Sequence, residues 1–120
     1  MQNHIAPVLG DLSPWGAVDH VQALGPHVVV VATPSRGGLW VSPEAMTLIP
    51  APLRETAYSR GGWFEEDCDW CIPYLALGLH RYETGAGRGA EVLEAAHKTL
   101  LSCHGALASL LTDGLPAPPA

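Results

Sequence analysis

A chain of 120 residues, 48% of them hydrophobic and only 15% charged, is long enough for one buried core and too apolar to stay unfolded. Six Lys+Arg against twelve Asp+Glu leave a formal charge of −6. That sign, with no basic cluster anywhere, weighs against direct DNA or RNA binding, which needs several cations on one face to release counterions.

Residues 1–12 have mixed polarity and are expected to form an N-terminal arm; they lack the positive n-region and apolar run of a signal peptide. Ser13-Pro14-Trp15-Gly16 reads as a turn anchored by its indole. A weakly alternating stretch at 18–24 and the β-branched run Val28-Val29-Val30-Val31-Ala32, separated by Gly25-Pro26, predict a hairpin. The unbroken apolar run fits a strand covered on both faces and is far too short to span a bilayer.

Thr33-Pro34-Ser35-Arg36-Gly37-Gly38 is then a turn, and Leu39-Trp40-Val41 a third strand. Ser42-Pro43-Glu44 has the order of a helix start, with Ser as N-cap, Pro next and an acid in the first turn; Pro50 and Pro52 limit that helix to about two turns. A further short helical turn is expected within 53–59. Trp63 and Phe64 fit a strand or the entry to a helix. The spacing of Trp70, Tyr74 and Leu77 predicts a helix beginning near Asp69, because an earlier start would put Pro73 in its interior.

After the glycine-rich link at 85–89, Leu93, Ala96, Leu100, Cys103, Leu107 and Leu110 form the seam of a long amphipathic helix. Gly105 weakens it by roughly 1 kcal/mol relative to Ala. The Pro-rich tail 114–120 is expected to be disordered. The fold class is therefore α+β: a small antiparallel sheet of about three strands packed by two or three helices, with a long C-terminal helix, in one domain over 13–113.

The most informative segment is 61–70. Glu65, Glu66, Asp67 and Asp69 place four acids in five residues, so something must offset their repulsion. One reading is a helix N-terminus, with Asp67 or Asp69 as N-cap and the macrodipole favouring the anions. A second is a recognition patch for Arg or Lys of a partner, with Trp63, Phe64 and Trp70 as anchors. A third, a hard-cation site, needs oxygens from elsewhere and has no EF-hand spacing.

Cys68-Asp69-Trp70-Cys71 is a C-x-x-C whose only other ligand candidates are Cys103, His80, His97 and His104; His97 and His104 share a face of the last helix, seven residues apart, but make no second pair with a thiol at standard zinc spacing. The acidic surroundings raise a thiol pKa, the wrong direction for a reactive thiolate. Three cysteines without a secretion signal point to free, packing thiols in the reducing cytoplasm. The 33–38 turn lacks both glycine-rich phosphate-loop patterns, and Arg36 and Arg60 are placed to offset the acids. No catalytic constellation, cofactor motif or metal site is expected.

From Ser13 to about Leu79 the chain resembles an uncharacterised domain family from phages, plasmids and integrated elements of proteobacteria. The resemblance rests on Ser13-Pro14-Trp15-Gly16, on Thr33-Pro34-Ser35-Arg36-Gly37-Gly38 and, most specifically, on Gly62-Trp63-Phe64-Glu65-Glu66-Asp67-Cys68-Asp69-Trp70. The family pattern has His where this chain has Arg36 and a non-Cys residue where it has Cys71, so a catalytic His does not carry over and the C-x-x-C is incidental. The resemblance implies a mobile-element context rather than a mechanism.

Together these give one functional expectation: a small cytoplasmic protein that binds and inhibits a host nucleic-acid-handling defence complex, as anti-CRISPR proteins do. Glu65, Glu66, Asp67, Asp69, Trp63, Trp70 and Arg36 are the expected partner-binding residues, facing a basic protein or ribonucleoprotein surface. The rivals are a small enzyme with Arg36 as anion clamp and Glu66 or Asp67 as acid/base, and a homodimeric module built on the 93–110 seam.

Overall fold

The computed structural model describes residues 6–112, so the expected tail at 114–120 and the first five residues of the arm lie outside it. The α+β class holds. A two-stranded hairpin, β1 (Leu12–Ser13) and β2 (Gly16–Ala17), precedes a four-stranded antiparallel sheet of β3 (His20–Ala23), β4 (Val28–Ala32), β5 (Gly37–Val41) and β6 (Trp63–Glu65), paired in that order. The helices are α1 (Pro43–Met46), α2 (Cys71–Ala76), α3 (Arg88–His104) and α4 (Ser109–Thr112).

The predicted hairpin forms with His20 opposite Ala32 and Ala23 opposite Val29, and the third strand pairs with β4 as expected. The sheet gains a fourth strand because Trp63-Phe64-Glu65 pairs with β5, Leu39 opposite Phe64 and Trp40 opposite Trp63. Alternation along each strand then sorts the residues by face. Val28, Val30, Leu39, Val41 and Phe64 share the core face and pack with Ile72, Leu75, Leu79, Ala96 and Leu100 from the helices. Val31, Gly38 and Glu65 align across the other face, next to the row of Val29, Trp40 and Trp63. Trp15, from the first hairpin, sets its ring edge-on to Trp63 at 5.8 Å, and Val31 is 1% exposed. Both faces of β4 are thus covered, and the unbroken apolar run is explained.

Ser42 caps α1 through its hydroxyl, which accepts from Ala45 N–H, and Pro43 follows at the first helical position. The helix spans four residues rather than two full turns. A 3-10 turn at Ala51–Leu53 follows, and 54–59 is not helical, contrary to expectation. Arg54 turns back to donate to the Ile49 and Thr47 carbonyls, holding the connection without a helix.

The later start of α2 is correct, and Pro73 lies in its first turn, where its missing N–H has no partner to lose. The N-cap assignment is not: Trp70 precedes the helix, and neither Asp67 nor Asp69 caps it. The last helix is broken rather than continuous. At His104 the backbone leaves helical geometry (φ −136°), and a 3-10 turn at Gly105–Leu107 leads into α4. Ala96 and Leu100 are fully buried in this chain's own core, with Leu93 and Leu107 packed against it. Most of the 93–110 seam therefore faces this chain's own core, while Leu110 near its end is 43% exposed. Among the described residues no helix is long and apolar enough to cross a membrane.

Candidate functional site

Glu65 ends β6 at 3% exposure, with its carboxylate turned back over the four residues that follow. One oxygen accepts from the N–H of Asp67 at 2.7 Å, the other from the N–H groups of Cys68 and Asp69 at 2.6 and 2.9 Å. Successive backbone N–H groups converging on one point form a nest, the arrangement that binds anions in phosphate sites. Here the anion is the chain's own Glu65. Its burial is offset by three charge-assisted hydrogen bonds and by the Arg36 guanidinium at 3.7 Å.

Asp69 is buried more deeply, at 1% exposure. One carboxylate oxygen accepts from the hydroxyls of Thr56 and Ser59, and the other from His104 Nε2 at 2.9 Å. His104 Nε2 also lies 3.2 Å from the Cys68 carbonyl. Both neighbours of Nε2 are acceptors, so that nitrogen carries the ring proton. Ser59, itself buried, accepts from the Glu65 backbone N–H while donating to Asp69, tying the Asp69 carboxylate to the end of β6 through one hydroxyl.

The remaining two acids are exposed. Asp67 reaches Arg36 Nη1 at 3.2 Å, with side chains 71% and 48% exposed, a geometry worth little to stability in water. Glu66 lies beside Gly37, where an added Cβ would come 3.2 Å from its carboxylate and 2.6 Å from the Val31 carbonyl. Glycine at 37 therefore lets β5 run close beneath the turn. Trp63 and Trp70 are half-buried, the second edge-on to Tyr74 at 5.4 Å.

Arg36 stands on the β4–β5 turn, which is closed internally. Thr33 N–H and its hydroxyl both donate to the Arg36 carbonyl, and Arg36 N–H donates back to the Thr33 hydroxyl. These donors are engaged with the turn itself, as a tight strand connection requires, rather than splayed toward a phosphate. Arg36 offsets the acids as anticipated; Arg60 forms no ion pair among the described residues.

The cysteines require a correction. Cys68 is bonded to Cys103 across 35 residues, with Cα atoms 5.7 Å apart, so the three free thiols expected for a reducing compartment are not what the fold contains. Only Cys71 is free. It is buried, its Sγ donates to the Cys68 carbonyl at 3.3 Å, and burial, with Asp69 adding to it, pushes the thiol up to about 12. The C-x-x-C is therefore two cysteines with different fates. The disulfide and the Asp69–His104 contact are consecutive in both segments: 68 joins 103, and 69 joins 104. Among the described residues no group of three or more His, Cys, Asp or Glu side chains is placed to hold a metal ion.

The site is a turn tied down from three sides: Arg36 from the β4–β5 turn, Thr56 and Ser59 from the loop before β6, and Cys103 and His104 from the end of α3. Of the residues singled out in the sequence, it brings together Arg36, Glu65, Glu66, Asp67 and Asp69, and it separates them into buried braces and exposed acids. Thr56, Ser59, Cys103 and His104 are the members that the sequence did not reveal.

Such a molecule is a small α+β protein presenting a braced acidic turn on the edge strand of its sheet. The chain matches, over residues 9–105, the model of a family described as a domain of unknown function, DUF7007, and it belongs to that family. No curated protein and no solved structure matches the chain significantly.

Proposed function

We propose that this protein works by stoichiometric binding, presenting Glu66 and Asp67 on the braced turn to an Arg/Lys-rich surface of a protein or ribonucleoprotein. The observation that carries this reading is the division of labour within the four acids. Glu65 and Asp69 are buried and hydrogen-bonded, and the two acids between them are held outward. Preorganised carboxylates lose little freedom on binding, so their attraction to a basic surface is not offset by ordering a loop. The formal charge of −6 adds long-range steering toward such a partner. Trp63 and Trp70, half-buried beside the turn, supply apolar anchors.

A basic surface that ordinarily holds DNA or RNA fits this chemistry, and the mobile-element resemblance of the sequence motifs suggests where one would be met. In its sharpest form the reading is a phage or mobile-element inhibitor of a host nucleic-acid-handling defence complex, of the anti-CRISPR kind. The test is capture of such a complex at a fixed ratio. Binding should fall at least tenfold in Glu66→Lys/Asp67→Lys, which leaves the buried braces untouched, and should persist in Arg36→Ala. Inactivation of the target at sub-stoichiometric amounts would overturn the reading.

A second reading, a small enzyme, has one observation in its favour. An imidazole held by a buried carboxylate through Nε2–H, as His104 is by Asp69, is oriented as a general base would be. Turnover lost in His104→Gln with the fold intact would favour it over the binding reading.

A further inference from the structure

Away from the acidic turn, and sharing no residue with it, the β3–β4 turn, α1 and the segment after α2 enclose an open cleft of about 170 Å³. Its floor is core: Val28, Ala45 and Leu79 are each no more than 3% exposed. Its rim is apolar and unprotected, with Leu48 at 68% and Tyr82 at 37% exposure. A space of this size lined by aliphatic side chains accommodates one aromatic ring or a short branched chain. The Tyr82 wall is fixed by Gly25, at φ +81°, where a Cβ would fall 2.7 Å from the Tyr82 ring.

One cation opens onto this apolar basin. Arg81 donates from Nε to the Gly78 carbonyl at 3.1 Å and from Nη2 to the Leu77 carbonyl at 3.0 Å, and its guanidinium lies 5.2 Å from the centroid of the Tyr82 ring. Two carbonyls and a ring therefore hold the group in place, with Nη1 making no hydrogen bond among the described residues. Among the described residues no carboxylate lies within ion-pair distance of Arg81. His27 lines the same cleft, its Nδ1 3.0 Å from the Ser42 hydroxyl that caps α1. When that hydroxyl donates to Nδ1, Nε2–H is a second free donor.

We propose that this cleft binds a small amphipathic monocarboxylate, its aryl or short branched-alkyl body in the basin formed by Val28, Ala45, Leu48 and Leu79 and its carboxylate on the Arg81 guanidinium. Charge complementarity selects this occupant. A neutral apolar body fills the basin but leaves the fixed cation unanswered, and an amine is repelled by it. A guanidinium pre-positioned by its own backbone contacts forms a charge-assisted, forked hydrogen-bond pair with a carboxylate without first losing side-chain freedom.

The test is a ¹H–¹⁵N correlation titration of the full chain with phenylacetate, phenylacetamide and 2-phenylethylamine. Phenylacetate should give saturable shifts at the amides of Leu48, Leu79 and Tyr82, with a Kd on the order of 1 mM. The amide and the amine should bind about tenfold more weakly or worse, and Arg81→Gln should bring phenylacetate down to the amide's level. Leu48→Glu, at an exposed rim position, should weaken phenylacetate more than phenylacetamide. Equal affinity for the acid and the amide in the wild-type chain would overturn the proposal, whether or not the Arg81 variant folds. Absence of saturable shifts in the cleft would overturn it equally.

Discussion

The acidic turn and the cleft beside Arg81 are both fixed in shape, by opposite means. In the turn, two buried carboxylates take up three backbone N–H groups, two hydroxyls and an imidazole, and a covalent bond joins the same two segments. In the cleft, apolar side chains at the end of the core set the walls, and a guanidinium anchored to carbonyls, together with the His27 ring, provides the polarity. The turn should therefore be intolerant of substitution at its braces and indifferent at its tips. The cleft should tolerate changes at its rim and register them in binding rather than in stability.

The sharpest way to break this contrast is Asp69→Ala. It strands two hydroxyls and the His104 proton in a buried site, and the expected loss is about 3–5 kcal/mol, read from chemical denaturation. A loss under 1 kcal/mol would mean that the turn is not braced as described. Reduction of the Cys68–Cys103 bond, or Cys68→Ser/Cys103→Ser, should destabilise by about 4 kcal/mol in the chain-entropy account of a 35-residue separation. Equal midpoints with and without a reductant would remove the covalent brace from the comparison.

Cys71 sharpens it further. With its folded pKa raised from 9.0 to about 12, the folded state retains a proton that the unfolded chain releases between those values. The Cys71 contribution to stability is therefore complete below pH 9 and is lost as the pH rises toward 12. In a native sample at pH 8, iodoacetamide should leave Cys71 unmodified, and denaturant should expose it; rapid native alkylation would contradict its burial. The smallest effect belongs to the tips. Glu66→Gln and Asp67→Asn should each change stability by no more than about 0.5 kcal/mol, with unchanged denaturation slopes, while altering partner capture.

Local signals were legible in the sequence and non-local ones were not. The β-branched run at 28–32, the Ser42-Pro43 helix start and the limit that Pro73 places on α2 follow from properties of a few adjacent residues, and all three stand. The acidic cluster was conspicuous, but its division was not. Whether Glu65 and Asp69 are buried depends on Ser59, Arg36 and His104, the last 35 residues from Asp69. The odd cysteine count pointed to free thiols, and the pairing of Cys68 with Cys103 depends on a contact across 35 residues that no local pattern announces. The long seam was read correctly as amphipathic. Its break at 104–105 was not, because the His104 contact with Asp69 coincides there with a glycine that offers the helix no side chain. The oddity that could have found His104 is its place next to Cys103, matching Asp69 next to Cys68.

The Cys68–Cys103 bond closes a ring of chain that holds α2 and all of α3 but its last residue, and the exposed link at 85–87 lies on that ring. Gly85 and Gly87 both have positive φ, and a Cβ at Gly87 would meet nothing within 4 Å. A cut there leaves two polypeptides that still travel as one particle until a reductant parts them. The molecule therefore has a natural seam for splitting into complementary halves, for inserting a reporter or for moving the termini, with the oxidised bond keeping the pieces in register.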